Sequence, residues 1–318
     1  MKTAVITGIS GQDGGYLAKL LLEKGYKVVG LSRSYRHLEL GNLKYLGISK
    51  DVIVEECDLM DYTNVSNIIK EHKPIEIYNL AAQSSVGISF KQPIGTIRFN
   101  ITSLLNILEA VKEIDASTKV YQASSSEMFG KAEQLPIKEN TPLHPLSPYA
   151  VSKASAHFIA QNYRNSFGLF VSCGILFNHE SYLRSKNFFV KKVITDCIKI
   201  SRGQQEKLTV GNVDIKRDFG YAPKYVDAIH KIITHHKADD FIICSGKSIS
   251  LREIIVHTFN RFNISADKLE INSTFFRPDD ILNNYGDNSR AKNELNWKYE
   301  HSFLEILDLL IDEELRNS

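Results

Sequence analysis

The chain has 318 residues, 43% of them hydrophobic, and its 39 Lys and Arg nearly balance its 37 Asp and Glu. This length suits one large α/β domain or two modest ones, and the balanced charge gives no reason to expect nucleic acid or an anionic membrane as a partner. The sequence contains no long uninterrupted apolar segment, so it predicts no membrane span. The four cysteines form no CxxC pair and the histidines lack metal-ligand spacing, so we expect a cytoplasmic protein with reduced thiols and no metal.

Short apolar runs alternate with helix-period segments through the first half of the chain. The predicted strands are 4–7, 27–31, 52–54, 75–80 and 119–122, and the predicted helices lie near 15–24, 61–72, 98–113 and 149–166. Such alternation is typical of a Rossmann-type α/β fold, in which a doubly wound parallel sheet has helices on both faces.

After about residue 175 the pattern becomes irregular. Segments 178–188 and 201–219 are polar and predict loops, 223–236 predicts a helix, and 240–244 predicts a strand that returns to the sheet. We therefore expect a Rossmann domain over 1–175, joined again by 221–247, and a smaller, discontinuous α/β substrate domain over 176–220 and 248–318. Ligands bind such folds in the crevice at the carboxyl ends of the strands.

A glycine turn joins the first strand to the first helix. Gly8, Gly11 and Gly14 have GxxGxxG spacing, which allows a tight turn, close approach of a pyrophosphate to backbone N–H groups, and close helix packing. NAD sites place an acid after the second strand, whereas NADP sites place an Arg there. Arg33 and Arg36 occupy this place without an acid, so we expect NADP.

Further cofactor contacts are expected where the third and fourth strands end. A carboxylate after the third strand can accept from the adenine amino group, and small residues follow the fourth. The predicted contacts of the cofactor along these turns are Gly8, Gly11, Gln12, Asp13, Gly14, Arg33, Asp58, Leu59, Leu80, Ala81, Ala82, Gln83 and Ser84.

Tyr149 and Lys153 stand four residues apart in SPYAVSK, on one face of a predicted helix. A tyrosine hydroxyl with a pKa near 10 is a poor base at neutral pH, but a nearby ammonium favours the phenolate. We expect Lys153 to lower the pKa of Tyr149 and to hold the nicotinamide ribose. Tyr149 would then take the proton of a sugar hydroxyl while hydride leaves for the cofactor.

The strand 119–122 leads into Ser124, Ser125, Ser126 and Glu127. Hydroxyls there can bond the same substrate oxygen as Tyr149. A carboxylate beside the nicotinamide can take a proton α to a new ketone and protonate a departing hydroxyl. Simple alcohol oxidation needs no such base, so Glu127 favours an elimination.

These residues resemble the extended short-chain dehydrogenases/reductases and, among them, the GDP-mannose 4,6-dehydratases. The most specific matches are QASSSEMFG (122–130), FNHES (177–181) and KRDFG (216–220), and matching segments cover nearly the whole chain. The resemblance implies that hydride passes from C4 of a GDP-hexose to NADP as Tyr149 takes the hydroxyl proton. Glu127 would remove the C5 proton, water would leave from C6, and hydride would return to C6, giving a 4-keto-6-deoxy sugar.

The resemblance also implies roles for other residues. Ser125 stands at the family's catalytic Thr position and keeps a hydroxyl. His179 and Arg184 would contact the cofactor. The residues implied near the nucleotide sugar are Ser84, Ser126, Asn178, Lys192, Arg217 and Arg277. The guanidinium groups of Arg217 and Arg277 suit a diphosphate, with ion pairing to Asp218 or Asp279 as the alternative.

The chain departs from the family at several positions. The family's Arg-Arg-Ser-Ser loop, which reaches a neighbouring subunit, appears here as Ser32-Arg33-Ser34-Tyr35-Arg36, so a homodimer and a homotetramer both stay open. Ser85 and Gly95 replace a His and a Tyr of the family. These changes make another GDP-sugar credible, such as an N-acetylhexosamine or a heptose. Two rival functions are a GDP-4-keto sugar reductase or epimerase and a non-catalytic NADP-binding regulator.

Overall fold

The computed structural model describes residues 1–34, 40–276 and 279–317. The strands are β1 (Thr3–Thr7), β2 (Lys27–Ser32), β3 (Ile53–Glu56), β4 (Glu76–Asn79), β5 (Lys119–Ser125), β6 (Val171–Leu176), β7 (Asn178–Glu180), β8 (Leu208–Val210), β9 (Lys216–Tyr221), β10 (Asp240–Ile243), β11 (Ser248–Ser250), β12 (Leu269–Ile271) and β13 (Asn283–Asn284). The α-helices are α1 (Gln12–Glu23), α2 (Gly41–Tyr45), α3 (Tyr62–His72), α4 (Val86–Lys91), α5 (Pro93–Ile114), α6 (Pro148–Phe167), α7 (Phe189–Ser201), α8 (Ala222–Thr234), α9 (Leu251–Arg261), α10 (Ser289–Glu294) and α11 (Phe303–Asn317). The predicted site residues Arg36 and Arg277 lie outside the described residues.

Seven of the described strands form one parallel sheet in the order β10-β6-β5-β4-β1-β2-β3. The chain runs outward from β1 to β3 and then returns to β4 on the other side of β1. The strand order therefore reverses between β1 and β4, which is where such sheets bind ligands. This topology confirms the predicted Rossmann-type fold class.

Both faces of this sheet are covered because successive strand side chains point to opposite sides. In β1, Ala4 and Ile6 belong to a core with α1 and α8, which includes Leu17 and Ile229. Val5 belongs to a second core with α3, α5 and α6, which includes Leu108. No helix in the described ranges is long and apolar enough to cross a membrane.

A smaller sheet surrounds β9, which pairs with β7, β11 and β13. Helices α7, α9 and α11 form its core, with Val193, Ile254 and Leu307 fully buried. From β9 the chain passes directly into α8, which packs on α1 against the large sheet. This connection brings the small sheet to the carboxyl edge of the large one.

The prediction of loops at 178–188 and 201–219 is wrong in part. The first segment contains β7, and the second contains β8 and the start of β9. The hydropathy pattern did not predict β9 because the strand contains the charged residues Arg217 and Asp218. In the structure these two residues are only 5% and 0% exposed. They tolerate burial because both make hydrogen bonds inside the protein.

Candidate active site

The turn between β1 and α1 lies at the point where the strand order reverses. Gly8 has a φ of +71°, in the left-handed region that favours glycine. A Cβ on Gly14 would come within 2.3 Å of the Gly8 carbonyl oxygen, so glycine is required for α1 to begin this close to the turn. Gly11 caps α1 without a side-chain hydrogen bond, so the N–H groups of the first turn face outward for an anionic ligand.

Thr7 fixes the backbone on the opposite side of this cleft. Its hydroxyl accepts from the N–H groups of Leu80 at 3.0 Å and Ala81 at 2.9 Å, and it donates to Asn79. The sequence analysis did not single out Thr7. Its position could have indicated this role, because Thr7 is a polar residue at the end of a buried strand and directly precedes the glycine turn.

The other predicted cofactor residues follow β2, β3 and β4 at the same edge of the sheet. Arg33 and Ser84 are exposed, and Asp58 is half-buried with its carboxylate accepting from the Met60 N–H at 3.0 Å. The Gln83 N–H donates to Asn100 at 2.9 Å, which anchors that loop to α5. Leu59 and Ala82 lie beside Asp58 and Gln83 on these loops.

The four predicted catalytic residues converge where β5 ends and α6 begins. Ser125 is the last residue of β5, and its Oγ accepts the Glu127 N–H at 3.3 Å in a short 3-10 turn over Ser126–Phe129. The Ser125 hydroxyl also lies beside the Tyr149 side chain and acts to lower the pKa of its hydroxyl. Lys153 lies one turn below Tyr149, and its Nζ donates to the Ala123 carbonyl at 2.8 Å.

Tyr149 and Lys153 are both buried, and burial is the largest influence on their pKa values. Burial raises the pKa of Tyr149 to about 12, and the Glu127 carboxylate adds to this, while Ser125 and Arg184 act in the opposite direction. The Lys153 ammonium is directed at the Ala123 carbonyl and lies 6.0 Å from the Tyr149 ring centre. Its expected effect on the pKa of Tyr149 stays a prediction. Burial also lowers the pKa of Lys153 to about 8.

Asp13, in the first turn of α1, is bound to His179 of β7. His179 Nε2 donates to the carboxylate at 2.9 Å, and Nδ1 donates to the Phe177 carbonyl at 2.7 Å. Burial opposes charge on both groups, but their attraction prevails, lowering the pKa of Asp13 to about 2 and raising the pKa of His179. Gln12 joins the pair by donating to the His179 carbonyl at 3.1 Å.

We expect this ion pair to stabilise the fold in a limited pH window. The Asp13 pKa falls from 3.8 to about 2, so its contribution is complete above 3.8 and is lost as the pH falls towards 2. The His179 pKa rises above 6.5, so its contribution is complete below 6.5 and is lost at higher pH. Urea unfolding of Asp13→Asn, His179→Gln and the double variant should give a coupling of about 0.5–3 kcal/mol near pH ~5.5 and much less near pH ~9. Equal coupling at both pH values would contradict this assignment.

Arg184 and Glu180 lie beside the pair. The Arg184 guanidinium carbon is 3.5 Å from the Phe188 ring centre, and its Nε is 3.5 Å from Glu180 Oε1. Among the described residues, Arg184 Nε and Glu180 Oε2 are buried without a hydrogen-bond partner. Burial raises the pKa of Glu180. A half-buried cation whose Nε makes no hydrogen bond, beside the glycine turn, fits a phosphorylated cofactor.

The predicted substrate contacts are spread around the same cleft. Asn178 donates to the Asp218 carbonyl at 3.2 Å, and Lys192 pairs with Asp196 at 2.6 Å. Ser126 is buried, whereas Ser84 is exposed. Asn178 and Lys192 are therefore engaged in contacts within the protein, whereas Ser84 is open to a ligand.

Arg217 is held by the segment that follows the undescribed residues 277 and 278. Its guanidinium donates to the Ile281 carbonyl at 2.5 Å and to Asp280 at 3.2 Å. The ion pair that the sequence suggested with Asp218 does not form, because that carboxylate accepts from Ser245 and Gly246. Burial raises the pKa of Asp218 to about 6.

Comparison with known proteins gives consistent matches. The family model for GDP-mannose 4,6 dehydratase matches residues 5–310. GDP-mannose 4,6 dehydratase 1 of Arabidopsis thaliana is 39% identical over 99% of this chain and 90% of its own length. The human GDP-mannose 4,6 dehydratase is 38% identical over 96% of this chain and 89% of its own. The dTDP-glucose 4,6-dehydratase DesIV of Streptomyces venezuelae, solved with NAD and TYD, shares the fold with a TM-score of 0.89 at 19% identity, covering 99% of this chain and 97% of that one.

Proposed function

The chain belongs to the GDP-mannose 4,6-dehydratase family, and from this premise we propose that it converts GDP-mannose to GDP-4-keto-6-deoxymannose and water. The observation that carries the proposal is the place of Glu127. Its backbone is tied to Ser125, and its carboxylate is close enough to Tyr149 to raise the pKa of that hydroxyl. A carboxylate here serves an elimination next to the site of C4 oxidation.

The reaction divides its proton transfers between two side chains. Tyr149 takes the proton of the C4 hydroxyl, and Ser125 and Arg184 are the neighbours that favour its ionised form. Glu127 takes the C5 proton, made acidic by the C4 ketone, and delivers a proton to the hydroxyl that leaves C6 as water. A nicotinamide cofactor, when bound, would supply the chemistry of hydride transfer between C4 and C6. No cofactor is consumed overall.

A panel of nucleotide sugars tests this function. The purified protein, supplied with NADP, should remove one water from GDP-mannose, seen as a mass loss, without net reduction of the cofactor. Loss of water from another GDP-sugar, such as an N-acetylhexosamine or a heptose, would keep the reaction class and change the substrate. Stoichiometric cofactor use would identify a reductase, and an unchanged panel would favour the NADP-binding regulator.

We propose NADP as the cofactor, on the position of Arg33. It is exposed directly after β2, where the ribose of a dinucleotide lies in this fold. Arg36, the other predicted candidate, is outside the described residues. The second feature that fits the cofactor is Arg184 Nε, which is buried without a hydrogen-bond partner.

Replacing Arg33 with Ala should weaken NADP binding by about ten- to a hundred-fold and leave NAD nearly unchanged. A hydrogen bond to a charged group is worth about 1.5–3 kcal/mol, and only NADP carries the 2′-phosphate. Fluorescence titration of both reduced cofactors measures the two affinities. Lys50→Ala is a matched control, because this exposed cation precedes β3 at the opposite edge of the sheet. Equal losses for both cofactors would remove Arg33 from the phosphate site.

We propose that Arg217 and Arg277 bind the diphosphate of the substrate, with Asn178, Lys192, Ser84 and Ser126 nearer the sugar and nucleoside. Arg217 is already oriented by Ile281, and a phosphate would compete with Asp280 for its guanidinium. A structure with bound GDP-sugar would refute this if Arg217 lay beyond water-mediated reach of the phosphates.

We also propose the domain division 1–175 with 221–247 against 176–220 with 248–318. It is supported by the pairing of β10 with β6 and by the separate core around β9.

We propose a homodimer through α5 and α6, where Ile94 and Phe158 are 81% and 56% exposed. Light scattering distinguishes it from a homotetramer. The four free cysteines support a cytoplasmic location.

A further inference from the structure

The inner face of α6 carries a row of polar side chains below the candidate site. We call this row the α6 ladder: Tyr149, Lys153, His157, Gln161 and Arg164. Its members are three or four residues apart and so share one helix face. Lys153 and His157 hydrogen-bond the Ala123 carbonyl and Ser124, and Tyr149 lies beside Ser125. These three partners are consecutive residues at the end of β5.

The last two residues of the ladder, Gln161 and Arg164, determine which atoms donate and which accept in its hydrogen bonds. Arg164 donates to both carboxylate oxygens of Asp240, at 2.8 and 2.9 Å. Gln161 Nε2 donates to the same carboxylate at 2.8 Å, and this sets the amide orientation because its oxygen would be repelled there. The amide nitrogen also lies 3.1 Å from His157 Nε2 and has only hydrogens to offer, so His157 Nε2 is an acceptor.

His157 must then carry its proton on Nδ1. This nitrogen lies 3.0 Å from Ser124 Oγ and donates to it. Because Nε2 accepts, the ring carries a single proton, and burial acts in the same direction by lowering the pKa of His157. A fixed chain of hydrogen bonds thus runs from Arg164 to the residue that precedes Ser125.

We propose that His157 is a positioning residue: by donating to Ser124 it holds the end of β5 against α6 and keeps the Ser125 hydroxyl beside Tyr149. This rests on the proposed function, since the consequence falls on proton transfer at Tyr149. His157 joins the two elements that carry the Ser125–Tyr149 contact: it bonds Ser124, which is next to Ser125, and it lies on the same helix as Tyr149. Small displacements of reacting groups cost large factors in rate.

A metal site is the competing explanation of this cluster. Ligand atoms of His157, Cys173 and Asp240 lie within 4.8 Å of one another. The Arg164 guanidinium, however, binds both carboxylate oxygens, and both ring nitrogens of His157 have hydrogen-bond partners. The donor set is therefore engaged in a closed hydrogen-bond network.

Two substitutions at one position test the proposal. An Asn amide nitrogen reaches the place of histidine Nδ1, whereas a Gln amide nitrogen reaches the place of Nε2. His157→Asn should keep the bond to Ser124 and stay within about threefold of the wild-type kcat, whereas His157→Gln should lose about tenfold in kcat with little change in KM. Both variants should bind NADP normally. Equal kcat values for the two, or a loss confined to KM, would overturn the proposal.

Two further measurements keep the test independent of folding and of turnover. Ser124→Ala removes the same hydrogen bond with little change in volume and should reproduce the kcat loss; a wild-type kcat would refute the proposal. Nitrogen NMR of labelled histidine should show His157 as the neutral Nδ1–H tautomer, and the Nε2–H tautomer would also refute it. Because this spectrum needs no substrate, the network can be verified even if no nucleotide sugar loses water, an outcome that would reject only the proposed function.

Discussion

Glu127→Gln should slow formation of the 4-keto-6-deoxy product, with a loss of about 10²–10⁴ in turnover. The amide keeps the size of the side chain and leaves the Glu127 N–H bond to Ser125 intact, but it cannot accept the C5 proton. C4 oxidation needs Tyr149 rather than Glu127. Reduced nicotinamide should therefore accumulate on the variant, seen by its absorbance, while mass analysis shows little loss of water.

Glu133→Gln is the matched control, because it changes an exposed carboxylate shortly after the same 3-10 turn. It should dehydrate substrate at the wild-type rate. Near-normal product formation by Glu127→Gln would reject the elimination mechanism. Loss of cofactor binding in that variant would instead show that the carboxylate supports the site rather than the chemistry.

Tyr149→Phe should also lower product formation by about 10²–10⁴, but by stopping an earlier step. The variant lacks the hydroxyl that lies beside Ser125 and that receives the C4 proton, so oxidation cannot begin. Neither product nor reduced nicotinamide should form. The measurement is the same pair of assays, mass loss and absorbance, in a single turnover.

Tyr163→Phe is its control on the same helix, since the Tyr163 hydroxyl bonds Glu109 away from the cleft. This change should leave turnover unaltered. The two catalytic variants must differ in reduced nicotinamide: present with Glu127→Gln and absent with Tyr149→Phe. If Tyr149→Phe accumulated it too, another group would have to take the C4 proton.

Much of the large sheet could be predicted from local pattern. Apolar runs such as Ala4 to Thr7 and the glycine turn that follows depend on neighbours in sequence, so their strand and turn are readable there. The small sheet was hidden because β9 buries charged side chains. Their burial depends on partners such as Asp280 and Ser245, 63 and 27 residues further along the chain.

The candidate site divides in the same way. Spacing alone placed Tyr149 and Lys153 on one face of α6 and Ser125 and Glu127 at the end of a strand, because helix and strand geometry are local. Spacing could not show that Lys153 bonds the Ala123 carbonyl or that Asp13 pairs with His179, 166 residues away.

The sequence by itself determined most strands of the large sheet, the glycine turn and the residue types available for catalysis. Only the tertiary structure decided the pKa values of those residues. The pKa of Tyr149 rises to about 12 and that of Lys153 falls to about 8, chiefly because packing removes both from water. Desolvation depends on every element packed around a group, and that arrangement exists only once distant segments have come together.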